Sequence, residues 1–163
     1  MSDHRVGLGY DVHPFADADD RTLVLAGVTV DGRGLDGHSD ADVVAHAVSD
    51  ALLGPAALPD LGSLFPASDD RYRDASSLEL LRDVASRVAD AGWQVVNVDV
   101  VIAAEQPRLA PHVEAMTRNL AAALGDNVFV SIKAKRGEGI GAIGRAEGIA
   151  AWAVALLERA ELR

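Results

Sequence analysis

The sequence predicts an α/β chain, an α+β sandwich in which helices pack on one face of a single sheet. Three observations predict it: strand-like and helix-like segments alternate along the chain, the helix-like segments carry apolar residues on one side only, and glycines or prolines separate most of them. Arg5 to Tyr10 and Thr22 to Val30 read as short strands, the second closed by Asp31-Gly32, and the two are expected as a hairpin or as neighbours. Ser39 followed by Asp42 resembles a capping box and opens a helix that runs through Val43, Ala47 and Leu52 to Gly54-Pro55. Ser76 and Glu79 repeat that pattern before Leu80, Leu81, Val84 and Val88, whose helix stops at Gly92. Trp93 to Ile102 reads as a strand, Pro111 suits the first turn of a helix ending at Leu124-Gly125, and Val128 to Ile132 alternates like a strand. A last helix is expected from near Arg145 to Leu162. Residues 133–148, KAKRGEGIGAIGRAEG with five glycines, read as a flexible ligand-binding loop.

With 163 residues, the chain is expected to form one domain over residues 1–163. The formal net charge is -10, and the two lysines, Lys133 and Lys135, sit together beside Arg136. A negative field of that size repels nucleic acid and anionic membrane, so a polyanionic ligand must be received by local cations, backbone N–H groups or metal ions. The absence of cysteine removes disulfides, thiolate zinc sites and thiol catalysis, leaving His, Asp and Glu as metal ligands. The start, MSDHRVGLGYDVHPF, has no apolar run of the signal-peptide kind, and no stretch is long enough to span a bilayer, so a cytoplasmic protein is expected.

Asp11 and His13 follow a strand two residues apart, so their side chains point the same way and can meet at one ion. His46, from the first helix, can add a third ligand, and one carboxylate with two imidazoles leaves a tetrahedral zinc one open position. Taken singly, each has a plainer reading: Asp11 and His13 as turn residues bonded to backbone, His46 as a satisfied, partly buried histidine. Asp50, four residues after His46, is expected to orient its ring. Gly37-His38-Ser39-Asp40 lies where the chain enters the helix, as a phosphate-binding start with His38 donating, or as an ordinary N-cap.

GYDVHPF, GHSDADVVAHAVSDALLG, LPDLGSLFP, NVDVVIAAEQPRL and GRAEGIA occur in this order over nearly the whole chain. Together they resemble the 2-C-methyl-D-erythritol 2,4-cyclodiphosphate synthase family. The resemblance implies a metal-dependent lyase of isoprenoid precursor biosynthesis. Its substrate would be 4-diphosphocytidyl-2-C-methyl-D-erythritol 2-phosphate, and its products the cyclodiphosphate and CMP. It implies Zn2+ on Asp11, His13 and His46, with Asp11 and His13 also bordering the substrate, and a second divalent cation, Mg2+ or Mn2+, near Glu138. His38 matches the stabiliser of the transition state and Ser39 a substrate contact. Asp60, Leu61 and Gly62 match the segment that holds methylerythritol, Phe65 and Pro66 another substrate loop, and Ala104, Glu105, Gln106, Pro107 and Arg108 the cytidine pocket. Arg145 matches a position near a threefold axis, since the family is similar to a homotrimer with active sites between subunits.

The chain departs from the family pattern at Lys135-Arg136-Gly137, where a run of threonines is usual, and at Ala67 and Ala142. Lys135 and Arg136 are expected to hold phosphate, with Arg136 taking the catalytic place of a threonine hydroxyl. Two alternatives remain: a non-catalytic or altered-specificity relative that binds nucleotide or isoprenoid diphosphates, and a metal-dependent phosphohydrolase.

Overall fold

The computed structural model describes residues 4–17, 21–125 and 127–160. Its main sheet has four strands in the order β1-β6-β4-β5: β1 (His4–Pro14), β4 (Trp93–Ala103), β5 (Phe129–Lys135) and β6 (Gly148–Arg159). β6 runs antiparallel to both β1 and β4, and β4 pairs parallel with β5. Helices α1 (Val43–Leu53), α3 (Ser77–Asp90) and α4 (Val113–Leu124) cover one face, so the expected sandwich is present. The short α2 (Leu61–Leu64) and α5 (Gly141–Gly144) lie in the connections.

The expected last helix is instead the central strand β6, and the end of that expectation at Leu162 lies outside the described residues. The alanines of IAAWAVALLER favour a helix intrinsically, but their spacing serves a pleat. Ala151, Ala153 and Ala155 are fully buried beneath α1, while Trp152 and Val154 point to the other face. Small side chains every second residue let α1 lie close over the sheet.

Thr22 to Val30 is likewise not one strand paired with β1. It forms its own hairpin, β2 (Leu23–Leu25) with β3 (Val28–Val30), turning at Ala26-Gly27, where φ is 49° and 68°. Two successive positive φ values match the right-handed twist of a two-residue hairpin, which explains the glycine there. Asp42, rather than Ser39, is the N-cap of α1, and its carboxylate also accepts from the Ala26 and Gly27 N–H groups of this turn. Ser76 caps α3 by position only, without a side-chain bond. Residues 133–148 are folded rather than loose: β5 continues to Lys135, and a Cβ on Gly137 would fall 2.4 Å from the Gly144 nitrogen.

α1 approaches β1 through two glycines. A Cβ on Gly9 would lie 1.8 Å from the Ala47 carbonyl oxygen, and one on Gly7 2.0 Å from that of Ala51. Among the described residues, no helix lies on the opposite face of the sheet. Val6, Leu8, Tyr10 and Val12 of β1 stand exposed there beside Trp152 and Val154 of β6, with Phe129 of β5 on the same face. Tyr10 and Trp152 pair across the strands with ring centroids 5.1 Å apart.

Candidate metal centre

Odd-numbered residues of β1 face the helices, so Asp11 and His13 continue the row of Gly7 and Gly9 and meet His46 on α1. Asp11 Oδ2 lies 3.0 Å from His13 Nε2 and 2.9 Å from His46 Nδ1, and the two ring nitrogens are 3.2 Å apart. These three residues form the one cluster of potential metal ligands among the described residues. A tetrahedral zinc with bonds of about 2.0–2.1 Å holds its ligand atoms roughly 3.3 Å apart, so the triangle needs little adjustment to take the ion.

The donor chemistry fits as well. His13 Nδ1 sits 2.7 Å from the Asp36 carbonyl oxygen, which can only accept, so Nδ1 carries the proton and the Nε2 lone pair faces the cluster. Burial pushes the Asp11 carboxyl up, but hydrogen bonds and charge from the two histidines outweigh it and hold the group well below the ordinary carboxylate range. Burial pulls His13 down, yet the bond to Asp11 and its charge leave it raised above 6.5.

These shifts give a pH dependence. In the metal-free protein the raised His13 contributes stability below its unfolded value of 6.5 and loses it as pH rises through the folded value, while Asp11 stays ionised throughout. A bound metal replaces that proton and is favoured as it leaves. The increase in melting temperature on adding zinc is therefore expected to grow between about pH 6 and pH 8. A constant or shrinking increase would contradict this linkage.

The cluster opens into a pocket of about 300 Å³ lined also by His38, Ser39, Leu61, Gly62 and Phe65. Asp50, Ala67, Tyr72 and Leu80 complete the lining, and Tyr72, which the sequence did not single out, stacks edge-on against Phe65 at 5.2 Å. His38 Nε2 is the one buried side-chain polar atom among the described residues without a hydrogen-bond partner, which is costly unless a ligand completes it. Two N–H groups at the start of α1, those of Val44 and Ala45, are taken by Asp42 and are not available to a phosphate. Asp60 caps α2 and accepts from Ser63 N at 2.7 Å, and hydrogen bonding from the Ser63 side chain first and its backbone second lowers the Asp60 carboxyl below the ordinary value. Pro66 follows Phe65, the C-cap of that helix.

Asp50 does not orient His46. It accepts from Leu61 N at 2.8 Å, tying α1 to α2. The outer nitrogen of His46, Nε2, instead lies 2.8 Å from Ser77 Oγ and 3.2 Å from Ser39 Oγ. Ser77 is 31 residues away in sequence, and no local pattern announces it.

A second cleft, of about 540 Å³, lies at the ends of β4 and β5. Its walls are Ala104 to Ala110 and Ala134 to Arg136, and it shares no residue with the metal pocket. It brings together Ala104, Glu105, Gln106, Pro107, Arg108, Lys135 and Arg136, so three cations converge on it. Glu105 accepts from the Arg136 guanidinium and, at 3.0 Å, from Gly137 N, and the Arg136 bond holds its carboxyl below the ordinary range. Glu138 stands exposed just beyond, in the left-handed region at φ 52°. Arg145 is exposed and donates to Glu147 at 2.6 Å.

Comparison with known proteins gives one answer. Residues 4–158 match the model of the YgbB family. The chain is 58% identical to the 2-C-methyl-D-erythritol 2,4-cyclodiphosphate synthase of Rubrobacter xylanophilus, over 98% of both chains. It superposes on the bifunctional IspDF of Campylobacter jejuni with a TM-score of 0.89 and 38% identity, covering 96% of this chain and 42% of that larger one. It also superposes on a CDP complex of IspF from Plasmodium falciparum with a TM-score of 0.83 and 28% identity, covering 97% of each. On fold, ligand cluster and full-length similarity together, the chain belongs to the YgbB family.

Proposed function

We propose that this chain converts 4-diphosphocytidyl-2-C-methyl-D-erythritol 2-phosphate into 2-C-methyl-D-erythritol 2,4-cyclodiphosphate with release of CMP, as a cytoplasmic, metal-dependent lyase of isoprenoid precursor biosynthesis. The observation that carries this reading is the convergence of Asp11, His13 and His46 beside the partnerless His38 Nε2, in a chain similar throughout to a synthase of that name. Among the described residues no helix is long and apolar enough to cross a membrane.

In the reaction, a 2-phosphate oxygen bonds to the β-phosphorus while the bond from that phosphorus to the bridging oxygen breaks, and CMP leaves with the electron pair. Asp11, His13 and His46 would hold Zn2+, which would supply Lewis acidity at the substrate's phosphates. His38 donates its free N–H to the crowded phosphates and Ser39 borders them. Asp60, Leu61 and Gly62 hold the methylerythritol part, with Phe65 and Pro66 closing the side of the pocket. Glu138 would be the protein carboxylate for Mg2+ or Mn2+, which would supply further neutralisation of the phosphates. The 104–108 segment holds cytidine, and Lys135 and Arg136 bind the phosphate that leaves.

The metal pocket and the cationic cleft are separate on one chain, and the sheet face bearing Leu8, Tyr10 and Trp152 is uncovered. Both features support a homotrimer of single-domain chains, residues 1–163, packed through the sheets. One subunit's cleft then completes its neighbour's metal pocket, with Arg145 near the threefold axis.

Phosphorus NMR of the authentic substrate incubated with protein, zinc and magnesium tests the reading. Cyclodiphosphate and CMP are expected; inorganic phosphate would show a phosphohydrolase, and an unchanged substrate with zinc bound a non-catalytic relative.

The pairing of Arg136, which stands where a threonine is usual in the family, with Glu105 is the observation that favours an altered-specificity relative. Arg136→Ala separates the two readings. If Arg136 holds the leaving phosphate, the substitution lowers turnover roughly 10- to 100-fold, the worth of one charge-assisted hydrogen bond, with zinc content unchanged. Unaltered turnover removes Arg136 from the mechanism.

A further inference from the structure

We propose that Ser77, polarised by Asp40, is the positioning residue that fixes the tautomer of His46 and so presents its Nδ1 lone pair to the metal. This rests on the reading of Asp11, His13 and His46 as a zinc centre.

A serine hydroxyl has one proton to give and two lone pairs to offer. Ser77 Oγ donates to Asp40 Oδ1, and the same carboxylate accepts from Ser77 N through Oδ2 at 3.0 Å. Asp40 can only accept when ionised, so the Ser77 proton is committed to it. Toward His46 Nε2, 2.8 Å away, Ser77 Oγ therefore presents a lone pair, and Nε2 must carry the proton. Ser39 Oγ accepts from Ala41 N at 3.3 Å and lies 3.2 Å from Ser77 Oγ, so it is placed to donate to the second lone pair. All three bonding positions of the Ser77 hydroxyl are then used.

With Nε2 protonated, His46 has one lone pair left, on Nδ1. That atom faces Asp11 Oδ2 at 2.9 Å and His13 Nε2 at 3.2 Å. His13 is fixed in the same sense by the Asp36 carbonyl, so both rings are oriented by an acceptor behind them and both point a lone pair inward. Three electron-rich atoms brought this close repel one another unless protons or a cation lie between them. The arrangement is preset for the ion. Ser77 is almost fully buried, at 1% exposure, so water does not substitute for it.

Zinc affinity is measured by competition with a chromophoric chelator at neutral pH for wild type, Ser77→Ala, Asp40→Asn and Ser49→Ala. Asp40→Asn keeps the shape but sets an amide NH2 against either the Ser77 N–H or its hydroxyl. Ser49 is an equally buried serine on α1 that donates to Ala45 O at 2.8 Å and is absent from the His46 hydrogen bonds, so its variant reports the cost of losing a buried hydroxyl. Ser77→Ala and Asp40→Asn are expected to weaken zinc binding about 10- to 100-fold, with Ser49→Ala close to wild type. Proton–nitrogen NMR of zinc-loaded wild type is expected to show a slowly exchanging proton on His46 Nε2, and this measurement requires no variant to fold. Wild-type affinity in Ser77→Ala and Asp40→Asn, or a proton on Nδ1, overturns the assignment. Failure of wild type itself to bind zinc overturns the metal centre on which the inference rests.

Discussion

His46→Ala is expected to leave the protein folded but without its metal, with zinc per chain at background and turnover lower by on the order of 10³-fold or more. The magnitude follows from removing several kcal/mol of charge stabilisation at the reacting phosphates, where about 1.4 kcal/mol is a factor of ten. The fold is expected to survive because His46 is only partly buried and its side-chain bonds go to Asp11, His13, Ser39 and Ser77, not to the apolar core. Two protein ligands then remain, too few to hold a tetrahedral ion tightly. Metal analysis of dialysed protein, with circular dichroism as the control for folding, checks this. Zinc at wild-type level in the variant would sink the centre.

Asp42→Ala is expected to have the largest effect on stability. Asp42 is fully buried, and its Oδ1 accepts from Ala26 N at 2.8 Å and from Val44 N and Ala45 N at 3.1 Å, while Oδ2 accepts from Gly27 N at 2.7 Å. Alanine leaves four N–H groups without this partner, those of Ala26, Val44 and Ala45 in the interior and that of Gly27 at its edge, a loss of about 3–5 kcal/mol and on the order of 10 °C in melting temperature for a chain of this size. Asn is milder, because its carbonyl oxygen can keep the three bonds at Oδ1 and only its amide opposes Gly27 N–H. Burial, helped by repulsion from Asp40, already pushes the Asp42 carboxyl up, so a neutral isostere removes less. Thermal unfolding of both variants gives the comparison, and an Asn variant as unstable as the Ala variant would show that the charge itself is needed.

The convergence of Asp11, His13 and His46 was legible because strand and helix arithmetic is local. Asp11 and His13 obey the period of a strand, and His46 sits on a helix that the sequence marks clearly. The same arithmetic misled at Asp50, which shares a helix face with His46 but turns to the Leu61 N–H. Ser77 was illegible, since only the packing of α3 against the entry to α1 brings it to the ring. β6 was missed for a related reason. Its alternation of alanine with larger residues carries a strand's period, but alanine favours a helix in isolation, and only burial between β1 and β4 decides the matter.

Gly7 and Gly9 hold no ligand, yet they gauge the metal centre. The carbonyl oxygens of Ala51 and Ala47 occupy the places where methyl groups would stand, so α1 rests directly on the backbone of β1. His46 immediately precedes Ala47, and Asp11 is one step along the same face from Gly9. The width of the coordination triangle is thus the thickness of a bare polypeptide backbone, a dimension that side-chain motion does not change. A metal ion entering this site would meet a bite already cut to size by two absent carbon atoms.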